Sequence, residues 1–128
     1  FNREARAKHR RSLLRSRQVD ESLANMTQLV QVDVRSAYVE ASRSKEQIAA
    51  TRATRVFQEE KARIEAEKFR VGKSTTLLVA QAQRDLLSSR IAEIAAITNH
   101  VKALIELYRL EGSLLERRGI LVAESVNP

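Results

Sequence analysis

The chain has no cysteine, which excludes a disulfide framework and thiolate chemistry. Glycine and proline are nearly missing. There are three glycines and one proline; none of them precedes Gly72, and the proline is Pro128. The segment before Gly72 therefore holds no residue suited to a tight turn with positive φ. Aromatic residues make up 4% and tryptophan is absent, which argues against a large globular core. No apolar run exceeds four residues (LLVA, IAAI, ILVA). Neither a membrane-spanning helix nor a signal peptide can be built from runs that short.

Alanine, leucine, arginine, glutamate, glutamine and serine fill the space left by these absences. That mixture belongs to long helices and coiled coils. A length of 128 residues allows one domain at most. The first residue is Phe1 rather than methionine, so the chain is expected to be a processed product or an excised part of something longer.

The net charge of +7 is concentrated at one end. Arg3, Arg6, Lys8, Arg10, Arg11, Arg15 and Arg17 stand against Glu4 alone. Such a segment reads either as an electrostatic contact with phosphate, in nucleic acid or lipid headgroups, or as a solvated basic helix end. A nucleic-acid reader would need interleaved aromatics or a recognisable module. Neither is present, and no nucleic-acid partner is expected.

Residues 3–69 read as one helix. Val19, Leu23, Met26, Val30, Val34, Ala37, Ala41 and Ile48 recur mostly at steps of three and four, as in a coiled-coil seam. A second apolar set lies off that seam: Leu29, Val32, Val39, Ala50, Ala53, Phe57 and Ile64. A lone helix cannot bury its own faces, so two stripes imply neighbours on two sides. Residues 76–111 read as a returning helix with two stripes of its own. One runs Leu87, Ile91, Ile94, Val101, Ile105, Tyr108; the other runs Ala82, Leu86, Ala96, Ala103, Leu107. The arms are unequal, so the upper half of the first helix is expected to pack on another segment or another subunit. Residues 112–128 form a tail in which ILVAESV has strand-like character.

Between the helices lies FRVGKST, residues 69–75, with 70–75 as the turn. Gly72, Lys73 and Ser74 spell the end of a phosphate-binding loop, but the spacing fails. The first glycine of that motif would fall at Glu67, and the preceding QEEKARIEAEK is helix-forming rather than a buried strand. Gly72 reads instead as a helix breaker in the left-handed conformation. Ser74 or Thr75 can cap the next helix. So short a connection favours an antiparallel helical hairpin. The expected fold class is all-α, with no barrel strands.

The layout resembles the second repeat of the TolC-like outer-membrane efflux family. Three stretches carry the resemblance. The first is Phe69, Val71-Gly72, Ser74-Thr75, Leu77, Val79, Ala82-Gln83 and Leu86. The second is Ala103-Leu104, Leu107, Gly112 and Leu114, and the third is VDVRSAYVEA on the first helix. Departures occur at the turn. Phe69 and Ser74 stand where some members carry a tyrosine and an arginine that hold a closed entrance. Lys73 and Ala80 stand where leucines are common.

The resemblance implies a homotrimer whose chains build an outer-membrane β-barrel and a periplasmic α-barrel for export. Residues 3–69 would descend from the barrel, 70–75 would form the periplasmic tip, 76–111 would return, and 112–128 would be of equatorial type. Phe69, Arg70, Val71, Gly72, Lys73, Ser74 and Thr75 would meet a periplasmic adaptor, the membrane fusion protein, and through it an inner-membrane transporter. Thr75 and Thr76 could hydrogen-bond a partner loop.

Nothing in the sequence points to catalysis or to a cofactor. His9 and His100 are isolated from other metal ligands. Glu59, Glu60, Glu65 and Glu67 alternate with Lys61, Arg63 and Lys68, as in i,i+4 pairs on a wet helix surface. Two other readings stand beside the export duct. A coiled-coil scaffold would bind through its helix faces. A phosphate-binding module would use the basic end and show steep salt dependence.

Overall fold

A computed structural model describes residues 2–120. It contains three helices: α1 (Arg3–Arg70), α2 (Thr76–Glu111) and the short α3 (Leu114–Arg117). No strand occurs among the described residues, and the strand-like stretch after Ile120 lies outside them. The uninterrupted 68 residues of α1 follow from the want of glycine and proline. Its hydroxyl residues do not break it, because they return their protons to the preceding turn. Ser22 donates to the Gln18 carbonyl at 2.8 Å and Thr27 to the Leu23 carbonyl at 2.9 Å.

The chain divides into two compact units, residues 1–36 and 37–128. In the first, α1 has no neighbouring element. Leu13, Val19, Leu23, Met26, Leu29, Val30 and Val32 are all more than half exposed.

The second unit is an antiparallel helical hairpin, as the sequence implied. Cross-helix contacts climb α1 while they descend α2. Ser44 meets His100 at 2.9 Å, Arg52 meets Glu93 at 3.1 Å, Arg90 meets Glu59 at 3.0 Å and Lys61 meets Asp85 at 3.1 Å. On α1 the contact seam runs Ala37, Ala41, Ser44, Ile48, Thr51, Arg55, Gln58, Ala62 and Glu65. On α2 it runs Val79, Ala82, Leu86, Ser89, Glu93, Ala96, His100, Ala103 and Leu107. Steps alternate between three and four on both helices, which is the knobs-into-holes period of a coiled coil.

The seam is built from small and polar residues. Its buried apolar members are Ala41, Ala62, Ala82, Leu86 and Ala96, joined by buried Ser44 and Ser89. Ser89 donates to its own helix, to the Leu86 carbonyl at 2.7 Å. Ser44 donates likewise to the Ala41 carbonyl at 2.9 Å, so its oxygen is left to accept from His100 Nδ1. Small side chains let the backbones approach, and satisfied hydroxyls remove the cost of burying them. Large apolar residues of both helices face outward. Phe57 and Ile64 on α1, and Leu87, Ile91, Ile94 and Val101 on α2, are all exposed.

Candidate functional site

The connection after α1 is a Schellman ending. The Gly72 N–H donates to the Phe69 carbonyl at 3.0 Å, and the Lys73 N–H reaches back to the Lys68 carbonyl at 2.8 Å. This pair of bonds satisfies the carbonyls that a helix end leaves unpaired, and it requires a left-handed residue at the glycine position. Gly72 supplies it with φ of +74°. Thr75 then takes extended backbone, and its side-chain oxygen accepts from the Leu78 N–H at 3.3 Å. The α2 N-terminus is thereby capped, while the Thr75 O–H remains a donor.

Ser74 is tied back to α1. Its hydroxyl donates to the Glu65 carboxylate, to which Lys68 also comes within 3.5 Å. The Ser74 hydrogen bond holds the Glu65 carboxyl below its usual range against the opposing effect of burial, with further attraction from Lys68 and Lys61. Higher up the hairpin Glu93 plays a similar part. Arg52 donates to it, and so does Arg55 at 2.6 Å, and the Arg52 bond leads in depressing its pKa.

Every residue from Phe69 to Thr75 is solvent-exposed except half-buried Ser74. Arg70 pairs with Glu67 at 3.0 Å, whereas Lys73 has no ion-pair partner among the described residues. The exposed side chains nearest Gly72 in the chain are mixed, cationic at Arg70 and Lys73 and apolar at Phe69 and Val71. Phe69 and Val71 are 47% and 58% exposed, and Leu77 on the first turn of α2 is 74% exposed. A Cβ built on Gly72 would meet nothing within 4 Å. The turn is thus hydrogen-bonded within itself and open at the glycine, and Phe69, Val71 and Leu77 are uncovered.

Glu65, Glu93 and Leu77 were not singled out as site or anchoring residues by sequence reasoning. Glu65 read as one member of a wet charged row. The row divides in the structure. Glu60 and Glu67 pair within α1 at i,i+3, Glu59 bridges Arg55 and Arg90, and Glu65 anchors the turn. The bond to Ser74 spans nine positions, and only the geometry of the turn brings the two together.

The cleft beside the turn is shallow, about 280 Å³, lined by Lys61, Glu65, Leu78, Gln81, Ala82 and Asp85. No group of three metal-ligating side chains occurs among the described residues, and no helix there is long and apolar enough to cross a membrane.

The family model described as outer membrane efflux protein matches residues 1–113. The chain belongs to the outer membrane efflux protein family. No curated protein and no solved structure matches it. The efflux family is one of channel components rather than enzymes, working at the outer membrane and periplasm. In this efflux segment the glycine turn falls well inside the matched region, as does the whole of α2.

Proposed function

We propose that the hairpin is a wall segment of a trimeric periplasmic duct, and that residues 69–75 are its docking tip for a periplasmic adaptor. The adaptor would couple the duct to an inner-membrane transporter. Strands outside this chain would carry the duct into the outer membrane. One observation carries the docking role. The left-handed glycine leaves open space where any other residue would project a side chain, and Phe69, Val71 and Leu77, close to it in the chain, are uncovered. A second backbone can approach there closely.

The outward-facing large residues support the duct wall. A ring of helices requires two lateral contact faces on each member, and the hairpin buries its small residues while presenting its large ones. The exposed apolar residues of residues 1–36 suit the same neighbours.

The test is capture of a purified periplasmic adaptor by the efflux protein carrying Gly72→Leu, with Gly72→Ala as the control. Capture should be lost with leucine and largely kept with alanine. Undiminished capture by the leucine variant would remove the docking role and favour a scaffold that binds through its helix faces.

A further inference from the structure

Residues 68–84 include Lys68, Arg70, Lys73 and Arg84 and no carboxylate. The acids nearest to them lie higher on the two helices, and each already has a partner. Glu60 pairs with Arg63, Glu67 with Arg70 and Asp85 with Lys61. Glu59 bridges Arg55 and Arg90. Glu65 accepts from the Ser74 hydroxyl and has Lys68 within 3.5 Å. Two cations at this end of the hairpin, Lys73 and Arg84, have no ion pair among the described residues, and both are exposed.

The two are placed differently. Arg84 stands eight residues into α2 from Thr76, about 12 Å along the axis at 1.5 Å per residue. Lys73 is in the turn itself, next to Gly72. Its N–H donates to the Lys68 carbonyl at 2.8 Å, which ties its backbone to the end of α1. The first turn of α2 offers it no acidic residue.

A backbone that comes up to the open space at Gly72 meets Lys73 beside it and shields the ammonium from water. An ammonium taken out of water without a counter-charge is costly. The nearby carboxylates of the hairpin are committed to other groups, so the counter-charge has to arrive with the partner.

We infer that the segment docking at the tip presents a carboxylate to Lys73. The adaptor loop that fits here is acidic, with apolar side chains to meet Phe69 and Val71, both uncovered. The pairing rests on the docking role proposed above and gives it a partner chemistry. It selects among adaptors by charge and repels a loop that is cationic at the matching position.

The test is capture of the purified adaptor by the full-length efflux protein carrying Lys73→Met, Lys73→Glu or Lys73→Arg, with Arg84→Met and Gly72→Leu alongside. Lys73→Met should weaken capture about tenfold and Lys73→Glu about a hundredfold. Lys73→Arg should keep it. Arg84→Met, which removes equal charge from the same end, should keep it too. Capture by the parent should weaken as salt rises, and capture by Lys73→Met should respond less. An adaptor whose tip-loop carboxylate is replaced by lysine should lose the parent and recover Lys73→Glu. Circular dichroism should show equal helicity in every variant, since the Lys73 side chain is exposed.

If Gly72→Leu abolishes capture while Lys73→Met and Lys73→Glu leave it unchanged, the docking role stands and the acidic partner is overturned. If capture survives Gly72→Leu as well, the docking role falls and the pairing falls with it. Equal losses from Lys73→Met and Arg84→Met would also overturn the pairing, because they would reflect general attraction between charged surfaces.

Discussion

Replacing Gly72 with alanine, leucine and asparagine separates the backbone role of the turn from its docking role. Gly72 sits at φ +74°, a region in which a Cβ crowds the following carbonyl. That crowding costs an L-residue roughly 1–2 kcal/mol. Because nothing lies within 4 Å of the built Cβ, no further steric cost follows. Alanine loses less freedom than glycine on folding, which offsets part of the loss. The net destabilisation is about 1 kcal/mol, or about fivefold in the ratio of folded to unfolded chains. With a urea slope of about 2 kcal/mol/M, the midpoint should fall by about 0.5 M. Leucine should cost the same as alanine, since its side chain enters open solvent. Asparagine, which tolerates the left-handed region, should cost less than either. Urea titration followed by circular dichroism reads all three. An alanine variant as stable as the parent would refute the need for the left-handed residue. A leucine variant much weaker than alanine would refute the open space. Adaptor capture should then divide alanine from leucine although their stabilities agree, since bulk at this position matters only when a second backbone arrives.

Leu86→Ala removes the largest buried side chain of the seam and should cost about 2–3 kcal/mol, the lower end for a core leucine, because its neighbours Ala62 and Ala82 are small. Thermal unfolding checks this, and a loss below about 1 kcal/mol would show that the seam contributes little. Thr75→Ala should cost about 1 kcal/mol and speed hydrogen exchange of the Leu78 amide selectively. Equal exchange in parent and variant would exclude the cap. Glu65 and Glu93 have carboxyls depressed below their ordinary value of 4.5, so their contribution is complete above that value and is lost as pH falls below it, through the depressed folded-state values. The hairpin should therefore lose stability on acidification over that window, and Glu93→Gln should flatten the slope. Parallel curves for parent and variant would refute the role of Glu93.

Much of the hairpin can be read directly from residue order. The lack of turn-forming residues before Gly72 compels one long helix, and a left-handed glycine followed by Ser74 and Thr75 compels a reversal. The phase of the α1 seam is likewise visible, since Ala37, Ala41 and Ile48 share one heptad face. On α2 two apolar faces compete, and hydrophobicity alone would bury Leu87, Ile91 and Ile94. The structure instead buries the Ala82, Leu86 and Ala96 face. Close approach of two helices requires small residues, and that choice depends on what the opposite helix presents.

The helices, the turn and the basic end follow from residue order, because each is set by local backbone preference or by charge that needs no partner to be counted. Tertiary structure alone decided which stripe faces inward, that Glu65 holds Ser74, and that Arg52 and Arg55 converge on Glu93. Those outcomes depend on distances between residues far apart in the chain, and such distances exist only after the turn has brought the second helix back against the first.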